Sequence, residues 1–369
     1  MSVCDRSTSP SSLPQSPRGW ARRHDQTLHD RWRLKEALGA GSTGTVYRAE
    51  RLDGGGDVAV KVLHPHAALG TTTRARFVRE CELVTKLRHP NIIRFHALGE
   101  LPDGALAMVM EYVHGESLAA RMRRGPMPLP LVRHVVTEVA AALDHAHARG
   151  IVHRDLKPEN VLVSPREGRA LPDVKVVDFG LAKEGALGAR VDISLRGEIL
   201  GTPRYMSPEQ LCGVSVDARA DVYALGLMTY EMLTGESPYR PARGVAGWAD
   251  RHLFDDPTPI DAHPVSRALS GEARRTIMRA LAKSRENRVD RAGELAACLR
   301  EAPVLRAAPA PRRRGPCPRS EDRPSVLRMP ALLVAALVAA ILLVGGVLAR
   351  QNDEGLTRRQ PDPPALRDS

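Results

Sequence analysis

Apolar residues in the first third of the chain come in short runs of strand length, separated by polar residues and glycines. These runs are rich in β-branched residues, which favour strands. They predict strands over 33–38, 45–47, 58–61, 92–98 and 107–110. A glycine triplet at 54–56 predicts a tight turn between two of them. The pattern therefore indicates a strand-rich N-terminal region.

After residue 128 the apolar residues recur with the period of a helix. Between 128 and 149 they are spaced three and four positions apart, as one face of a helix requires. The same spacing predicts further helices over 217–233, 270–282 and 291–299, and 161–164 with 174–177 predicts a β-hairpin. A strand-rich region followed by a mostly helical one indicates an α+β fold.

Near the C-terminus, residues 331–349 form a run of nineteen residues without a charged or polar side chain. This length suffices to span a bilayer core of about 30 Å. Residues 306–328 hold seven arginines against two acids, whereas 350–369 hold four of each. The positive-inside rule then predicts a single transmembrane helix at 330–349, a cytoplasmic upstream domain and a short extracytoplasmic tail at 350–369.

The composition of the chain bears on its partners, on disulfide or zinc sites and on disordered segments. The 369 residues carry a net charge of +11, but basic and aromatic residues are not interleaved, so we expect no nucleic-acid partner. The five cysteines are scattered and odd in number, which favours neither a disulfide framework nor a zinc site. Residues 1–30 are rich in Ser, Pro and Arg and predict disorder, and the Pro- and Arg-rich residues 301–328 predict a linker.

The candidate chemistry lies between residues 151 and 180. Asp155 can accept the proton of an attacking hydroxyl, and Lys157 can neutralise charge on a phosphoryl group in transfer. Asn160 and Asp178 offer the hard oxygen ligands that Mg²⁺ prefers. These residue types indicate phosphoryl transfer, in which positioning and charge placement carry the catalysis.

A glycine-rich segment at 39–44 precedes this region. Its GxGxxG pattern also occurs in nucleotide-binding dehydrogenases, where it opens a helix. Here Thr45, Val46 and Tyr47 follow and favour a strand, so a hairpin that covers nucleotide phosphates fits better.

The run HRDLKPEN at 153–160 and the DFG triplet at 178–180 match the catalytic loop and metal-binding turn of protein kinases letter for letter. Over about residues 32–299 the chain resembles the eukaryotic-like (Hanks-type) serine/threonine kinases of bacteria. The resemblance implies the bilobal kinase fold, with an N-lobe at 31–110, an antiparallel sheet plus one helix, and a mostly helical C-lobe at 114–300. It also implies ATP and Mg²⁺ as cofactors and protein Ser/Thr hydroxyls as acceptors.

For ATP, the resemblance assigns a set of residues in and around the N-lobe sheet. Lys61 would hold the α- and β-phosphates and pair with Glu80, while Met110 would guard the deep adenine pocket or simply fill the core. Backbone groups of the hinge at 111–113 would bond the adenine edge. The full ATP-binding set is Leu38, Gly39, Ala40, Gly41, Ser42, Thr43, Gly44, Val46, Ala59, Lys61, Met110, Glu111 and Val113.

The resemblance also assigns catalytic and structural roles. The catalytic set is Asp155, Lys157, Asn160, Lys61, Glu80 and Thr202, and the metal ligands are Asn160 and Asp178. Asp221 would anchor the backbone of the catalytic loop. Glu209 would pair with Arg288, although Val289 follows where the family usually has proline.

Regulation is predicted from the segment 181–206. Arg154 would need an anion, which phosphorylated Ser194 or an acidic residue can supply. Autophosphorylation at Ser194 through self-association at the membrane is one hypothesis, and an unphosphorylated loop is the other.

Glu116 and Glu159 could select basic substrates, contact ribose or simply be solvated. An inactive pseudokinase scaffold is the alternative function, but the catalytic motif residues are all present.

Overall fold

The computed structural model describes residues 23, 25–41, 44–64, 78, 81, 84–179 and 203–300. Its N-lobe contains a six-stranded antiparallel sheet of order β1-β2-β3-β4-β6-β5. The strands are β1 (Thr27–Leu28), β2 (Trp32–Ala40), β3 (Gly44–Arg51), β4 (Asp57–Leu63), β5 (Phe95–Glu100) and β6 (Leu106–Glu111). The five predicted strands correspond to β2 to β6, and β1 was not predicted.

Two predictions in the N-lobe are wrong at their boundaries. β1 lies inside the segment predicted to be disordered, because Leu28 is fully buried beside Trp32 and Leu34 and anchors that segment to the sheet. The strand predicted from residue 92 begins only at Phe95. The preceding backbone bonds to the C-lobe instead, since Ile93 donates its N–H to the carbonyl of Val176 at 2.9 Å.

The C-lobe is mostly helical, as predicted. Its helices are α1 (Leu118–Met122), α2 (Leu129–His147), α3 (Pro208–Leu211), α4 (Arg219–Thr234), α5 (Gly244–Phe254), α6 (Gly271–Ala280) and α7 (Ala292–Arg300). A small sheet of β7 (Glu116–Ser117), β8 (Val161–Ser164) and β9 (Asp173–Val176) lies beside the interlobe cleft. The helical spacing did not predict α1, α3 or α5, and α5 contains two glycines that weaken its helix signal.

The centre of the C-lobe is α4, which is buried from Ala220 to Leu233. A helix that is apolar on all sides must be surrounded by others, and α4 contacts both α2 and α6. Gly226 permits the close approach of α6, because a Cβ there would lie 2.6 Å from the Cβ of Ala280. This packing gives the loops at the cleft a rigid base.

None of the helices in the described part of the chain combines the length and apolar character needed to cross a bilayer. The predicted linker at 301–328, transmembrane helix at 330–349 and tail at 350–369 lie outside the described residues.

Candidate active site

The catalytic loop joins α2 to β8 and places the Asp155 carboxylate at the cleft. Lys157 Nζ donates to Asp155 Oδ2 at 3.0 Å. Asn160 Nδ2 donates to the backbone carbonyl of Asp155 at 2.8 Å and to its Oδ2 at 3.3 Å. These donors stabilise the charged carboxylate and restrict its orientation, as a base for a substrate hydroxyl requires.

The loop backbone is held from below by Asp221 of α4. Its Oδ2 accepts the N–H of His153 at 2.7 Å, and its Oδ1 accepts the N–H of Arg154 at 2.9 Å. His147 Nε2 lies 2.7 Å from the same Oδ2. Burial opposes ionisation of Asp221, but the bond from His147 and the neighbouring groups lower its pKa below the ordinary value. Asp221 therefore holds the loop as an anion, the role that the sequence resemblance assigned to it.

The contact between His147 and Asp221 was not predicted from the sequence. His147 ends α2, six positions before His153, but it bonds to a residue 74 positions away along the chain. Such a long-range partner leaves no local signal in the sequence.

His153 is completely buried beneath the loop and is held as the neutral imidazole. Burial lowers its pKa. Its Nε2 lies 3.0 Å from the carbonyl of Val177, and its Nδ1 lies 3.3 Å from the N–H of Asp155. One nitrogen thus donates and the other accepts, which is the pattern of a neutral ring.

Arg154 and Asp178 both have left-handed backbone conformations, with φ of 60° and 56°. Non-glycine residues rarely adopt such angles, and the surrounding contacts must hold them there. At Arg154 the contacts are the Asp221 bond and a bond from Gln210 Nε2 to its carbonyl at 2.7 Å. Both residues lie in turns that present the predicted catalytic and metal-binding side chains.

Across the cleft, Lys61 of β4 donates to Asp178 Oδ2 at 2.8 Å. The Lys61 and Asp178 side chains are 12% and 30% exposed, so the pair faces a solvent-accessible opening. The predicted partner Glu80 lies outside the described residues, although Cys81 and Val84 beside it are helical and buried. The described structure therefore links Lys61 directly to the metal-binding turn.

The predicted ATP-binding residues lie along β2, β3, β4 and β6 and in the hinge. Ala59 pairs with Met110 across β4 and β6, and both are buried, so Met110 is a core residue. Gly44 is needed for packing, because a Cβ there would lie 2.4 Å from the carbonyl oxygen of Val62. The positions described are Leu38, Gly39, Ala40, Gly41, Gly44, Val46, Ala59, Lys61, Met110, Glu111 and Val113, while Ser42 and Thr43 lie outside the described residues.

The Glu111 side chain ties the hinge to the C-lobe. Its Oε1 lies 2.8 Å from Lys175 Nζ of β9, and its Oε2 accepts the N–H of Arg94 at 3.2 Å. The side chain of Glu111 therefore holds the hinge in place, and only its backbone would be available to contact adenine.

The residues present fit a Mg²⁺ ion. Val177, the residue before Asp178, donates its N–H to the carbonyl of Asn160 at 2.9 Å, so the backbone segments that carry the two predicted ligands are neighbours. The Asn160 amide nitrogen faces Asp155, so its amide oxygen points the other way. An amide oxygen and a carboxylate are ligands that suit Mg²⁺.

Below the site, Glu209 and Arg288 form a buried two-point ion pair, the pairing expected from the sequence. Arg288 Nη1 and Nη2 donate to the two Glu209 carboxylate oxygens, each at 2.7 Å. Burial opposes ionisation of Glu209, but the guanidinium outweighs it and lowers the pKa of that carboxyl. The pair fixes α3 against the end of the C-lobe.

The predicted residues Thr202 and Ser194 lie outside the described residues, as does Gly180 of the DFG triplet. Their assignments remain predictions.

Comparison with known proteins agrees with this geometry. Residues 32–297 match the model of the family described as protein kinase domain. The chain therefore belongs to the protein kinase domain family.

The relatives are bacterial serine/threonine kinases. The chain is 37% identical to the serine/threonine-protein kinase pkn3 of Myxococcus xanthus, over 82% of this chain and 58% of that protein. It is 40% identical to the serine/threonine-protein kinase PknB of Mycobacterium tuberculosis, over 74% of this chain and 43% of that protein. The chain thus spans less than two thirds of either relative.

A solved structure with a similar fold is the Mycobacterium tuberculosis PknI kinase domain. It aligns with a TM-score of 0.57 and 30% identity, over 75% of this chain and 97% of that one.

Proposed function

We propose that the protein is an active serine/threonine kinase that transfers the γ-phosphoryl group of ATP to hydroxyls of protein substrates. The observation that carries the proposal is the Asp155 carboxylate, which is held by Lys157 and Asn160, together with the Lys61–Asp178 pair. The relatives named serine/threonine-protein kinase support the same activity.

In this mechanism Asp155 accepts the proton of the substrate hydroxyl as the hydroxyl oxygen attacks the γ-phosphorus of ATP. The bond between that phosphorus and the oxygen bridging it to the β-phosphate breaks, and ADP leaves. Lys157, already 3.0 Å from Asp155, adds positive charge where the phosphoryl group passes. Lys61 binds the non-transferred phosphates. Asn160 and Asp178 would hold Mg²⁺, which neutralises phosphate charge.

The direct test is phosphate transfer by purified protein. With labelled ATP, Mg²⁺ and a mixture of Ser- and Thr-containing peptides, we expect phosphoserine and phosphothreonine, and no product after chelation of the metal. ATP binding without any transfer would support the pseudokinase alternative instead.

We also propose that residues 330–349 anchor the protein in the membrane as a single span, with the kinase domain in the cytoplasm. The proposal rests on the uncharged run and on the excess of arginine before it. Full-length protein should resist carbonate extraction from membranes, and a chain ending at Pro303 should be soluble and active. A reporter fused at Ser369 that is active only in the cytoplasm would contradict this orientation.

We propose autophosphorylation at Ser194, in trans between chains concentrated on the membrane. Phosphate there would supply the anion that Arg154 is expected to need. Mass mapping of active protein should find phosphate on Ser194 and should not find it in Asp155→Asn protein. A fully active Ser194→Ala variant with no phosphate in that peptide would place the switch elsewhere.

A further inference from the structure

Arg204 lies in the short 3₁₀ turn Pro203–Tyr205, next to the catalytic loop. Tyr205 and Met206 line a small pocket between this turn, the catalytic loop and α4, together with Asp155, Lys157 and Asp221. The turn is therefore a neighbour of the residue that is proposed to receive the proton of the substrate hydroxyl.

The Arg204 guanidinium contacts a carboxylate that is almost completely buried. Its Nε and Nη2 donate to Glu231 Oε1 at 3.1 and 2.8 Å. The second oxygen of Glu231 accepts the Tyr205 hydroxyl at 2.6 Å. Glu231 is 4% exposed, whereas Arg204 is 39% exposed, so the arginine covers the carboxylate and closes it off from solvent.

The remaining walls around Arg204 are aromatic. Its guanidinium carbon lies 5.7 Å from the ring centre of Tyr205 and 5.7 Å from that of Trp248 on α5. A carboxylate with two aromatic faces is a typical setting for a guanidinium group. Burial opposes the charge on Arg204, but Glu231 outweighs it, and with Tyr205 and Glu159 it raises the pKa of the guanidinium.

We propose that Arg204 fills, from within the chain, a guanidinium pocket on the substrate side of the catalytic loop, and that it thereby makes the kinase indifferent to a basic residue beside the acceptor hydroxyl. The inference rests on the proposed kinase activity. Arg204 acts as a positioning residue, because it holds Tyr205 through Glu231. A substrate arginine finds this pocket already occupied, and Glu159 next to it is partly compensated by the charge of Arg204.

Removal of Arg204 should expose the pocket. In Arg204→Ala, Glu231 loses two of the donors described above and becomes a buried anion that is reachable from solvent. Free guanidinium ion, or an arginine of the peptide, can then take the vacated place.

The experiment compares kcat/KM for peptides that differ by one Ala-to-Arg change at each position flanking the acceptor. For wild type we expect differences below about threefold. For Arg204→Ala we expect kcat/KM on the neutral peptide to fall about tenfold or more. It should recover with about 5 mM guanidinium, or with arginine at one flanking position.

Three further measurements sharpen the test. Guanidinium at the same concentration should raise the Tm of Arg204→Ala but not of wild type, a readout that needs no activity. The Arg204→Ala/Glu231→Gln variant should lose both rescues. Arg275→Ala, which removes an exposed arginine paired with Glu272 on α6, is the matched control and should behave as wild type.

A wild-type preference of tenfold or more for an arginine peptide would overturn the inference, and this arm does not depend on the folding of any variant. The inference would also be overturned if Arg204→Ala had an unchanged kcat/KM. It would equally be overturned if the variant folded but guanidinium neither stabilised nor reactivated it. If wild type transfers no phosphate to any peptide, the proposed function fails, while the Tm measurement still reports on the pocket.

Discussion

Replacement of Glu209 by glutamine should destabilise the catalytic domain strongly, although the two side chains have the same shape. Arg288 is 2% exposed and uses all five of its N–H groups. Two of them contact Glu209, and three contact the backbone carbonyls of Ala282, Arg219 and Lys283. The Tyr223 ring covers one face of the guanidinium at 4.9 Å.

The magnitude follows from this burial. In Glu209→Gln the cation stays in place, but its counter-charge is gone and an amide N–H₂ faces a guanidinium donor. Removal of one partner from a buried pair costs about 3–5 kcal/mol. Because domains of this kind are stable by about 5–15 kcal/mol, the loss is a large fraction of the total. At about 2–4 °C per kcal/mol, Tm should fall by roughly 6–20 °C.

The assay is reversible urea unfolding, supported by thermal melting in the same buffer. Asp290→Asn is the matched control, because it breaks an ion pair with Arg219 of the same 2.7 Å length whose acid is 72% exposed. An exposed pair contributes about 1 kcal/mol or less, so the control should unfold close to wild type.

A double variant separates the charge from the shape. In Glu209→Gln/Arg288→Met the unpaired cation is also removed, so part of the lost stability should return relative to Glu209→Gln alone. If Glu209→Gln unfolds within 1 kcal/mol of wild type, the buried pair does not have the role assigned to it here.

Three further predictions concern pH, ATP and the substrate site. Burial lowers the pKa of His252 to about 4. Since the unfolded value is about 6.5, stability present above pH 6.5 should be lost as the pH falls toward 4, by about 3 kcal/mol in full. Urea titrations should show that His252→Gln reduces this dependence on pH. Lys61→Met should lower phosphate transfer by about 10²-fold or more but change stability by no more than about 1 kcal/mol, since its pair with Asp178 is partly exposed. Thr202→Ser should retain activity in the same transfer assay and Thr202→Ala should lose most of it, and an Ala variant as active as wild type would remove the role assigned to that hydroxyl.

The parts of the site that the sequence predicted are those with a local signature. Asp155, Lys157 and Asn160 lie within six positions, in a run that matches the catalytic loop of protein kinases. The Asp221 anchor and the Glu209–Arg288 pair are long-range contacts that only the family resemblance suggested.

The parts that the sequence did not predict depend on partners far along the chain. The Arg204–Glu231 contact joins residues 27 positions apart, and nothing near Arg204 marks it as covered by Trp248. β1 was missed because Ser, Pro and Arg dominate its surroundings, although one fully buried leucine, Leu28, is enough to hold it to the sheet. A prediction of disorder from the average composition of a segment cannot detect a single buried side chain that holds the segment in place.

The most direct test of the proposed activity is phosphate transfer by Asp155→Asn protein. The substitution keeps the size of the side chain and removes the base and its charge, so transfer to a generic Ser/Thr peptide should fall by about 10²-fold or more. Asp173→Asn is the control, because this carboxylate of β9 is 52% exposed and pairs with the surface residue Arg166. Loss in Asp155→Asn with normal transfer in Asp173→Asn is the predicted result, and near-normal turnover by Asp155→Asn would contradict the account.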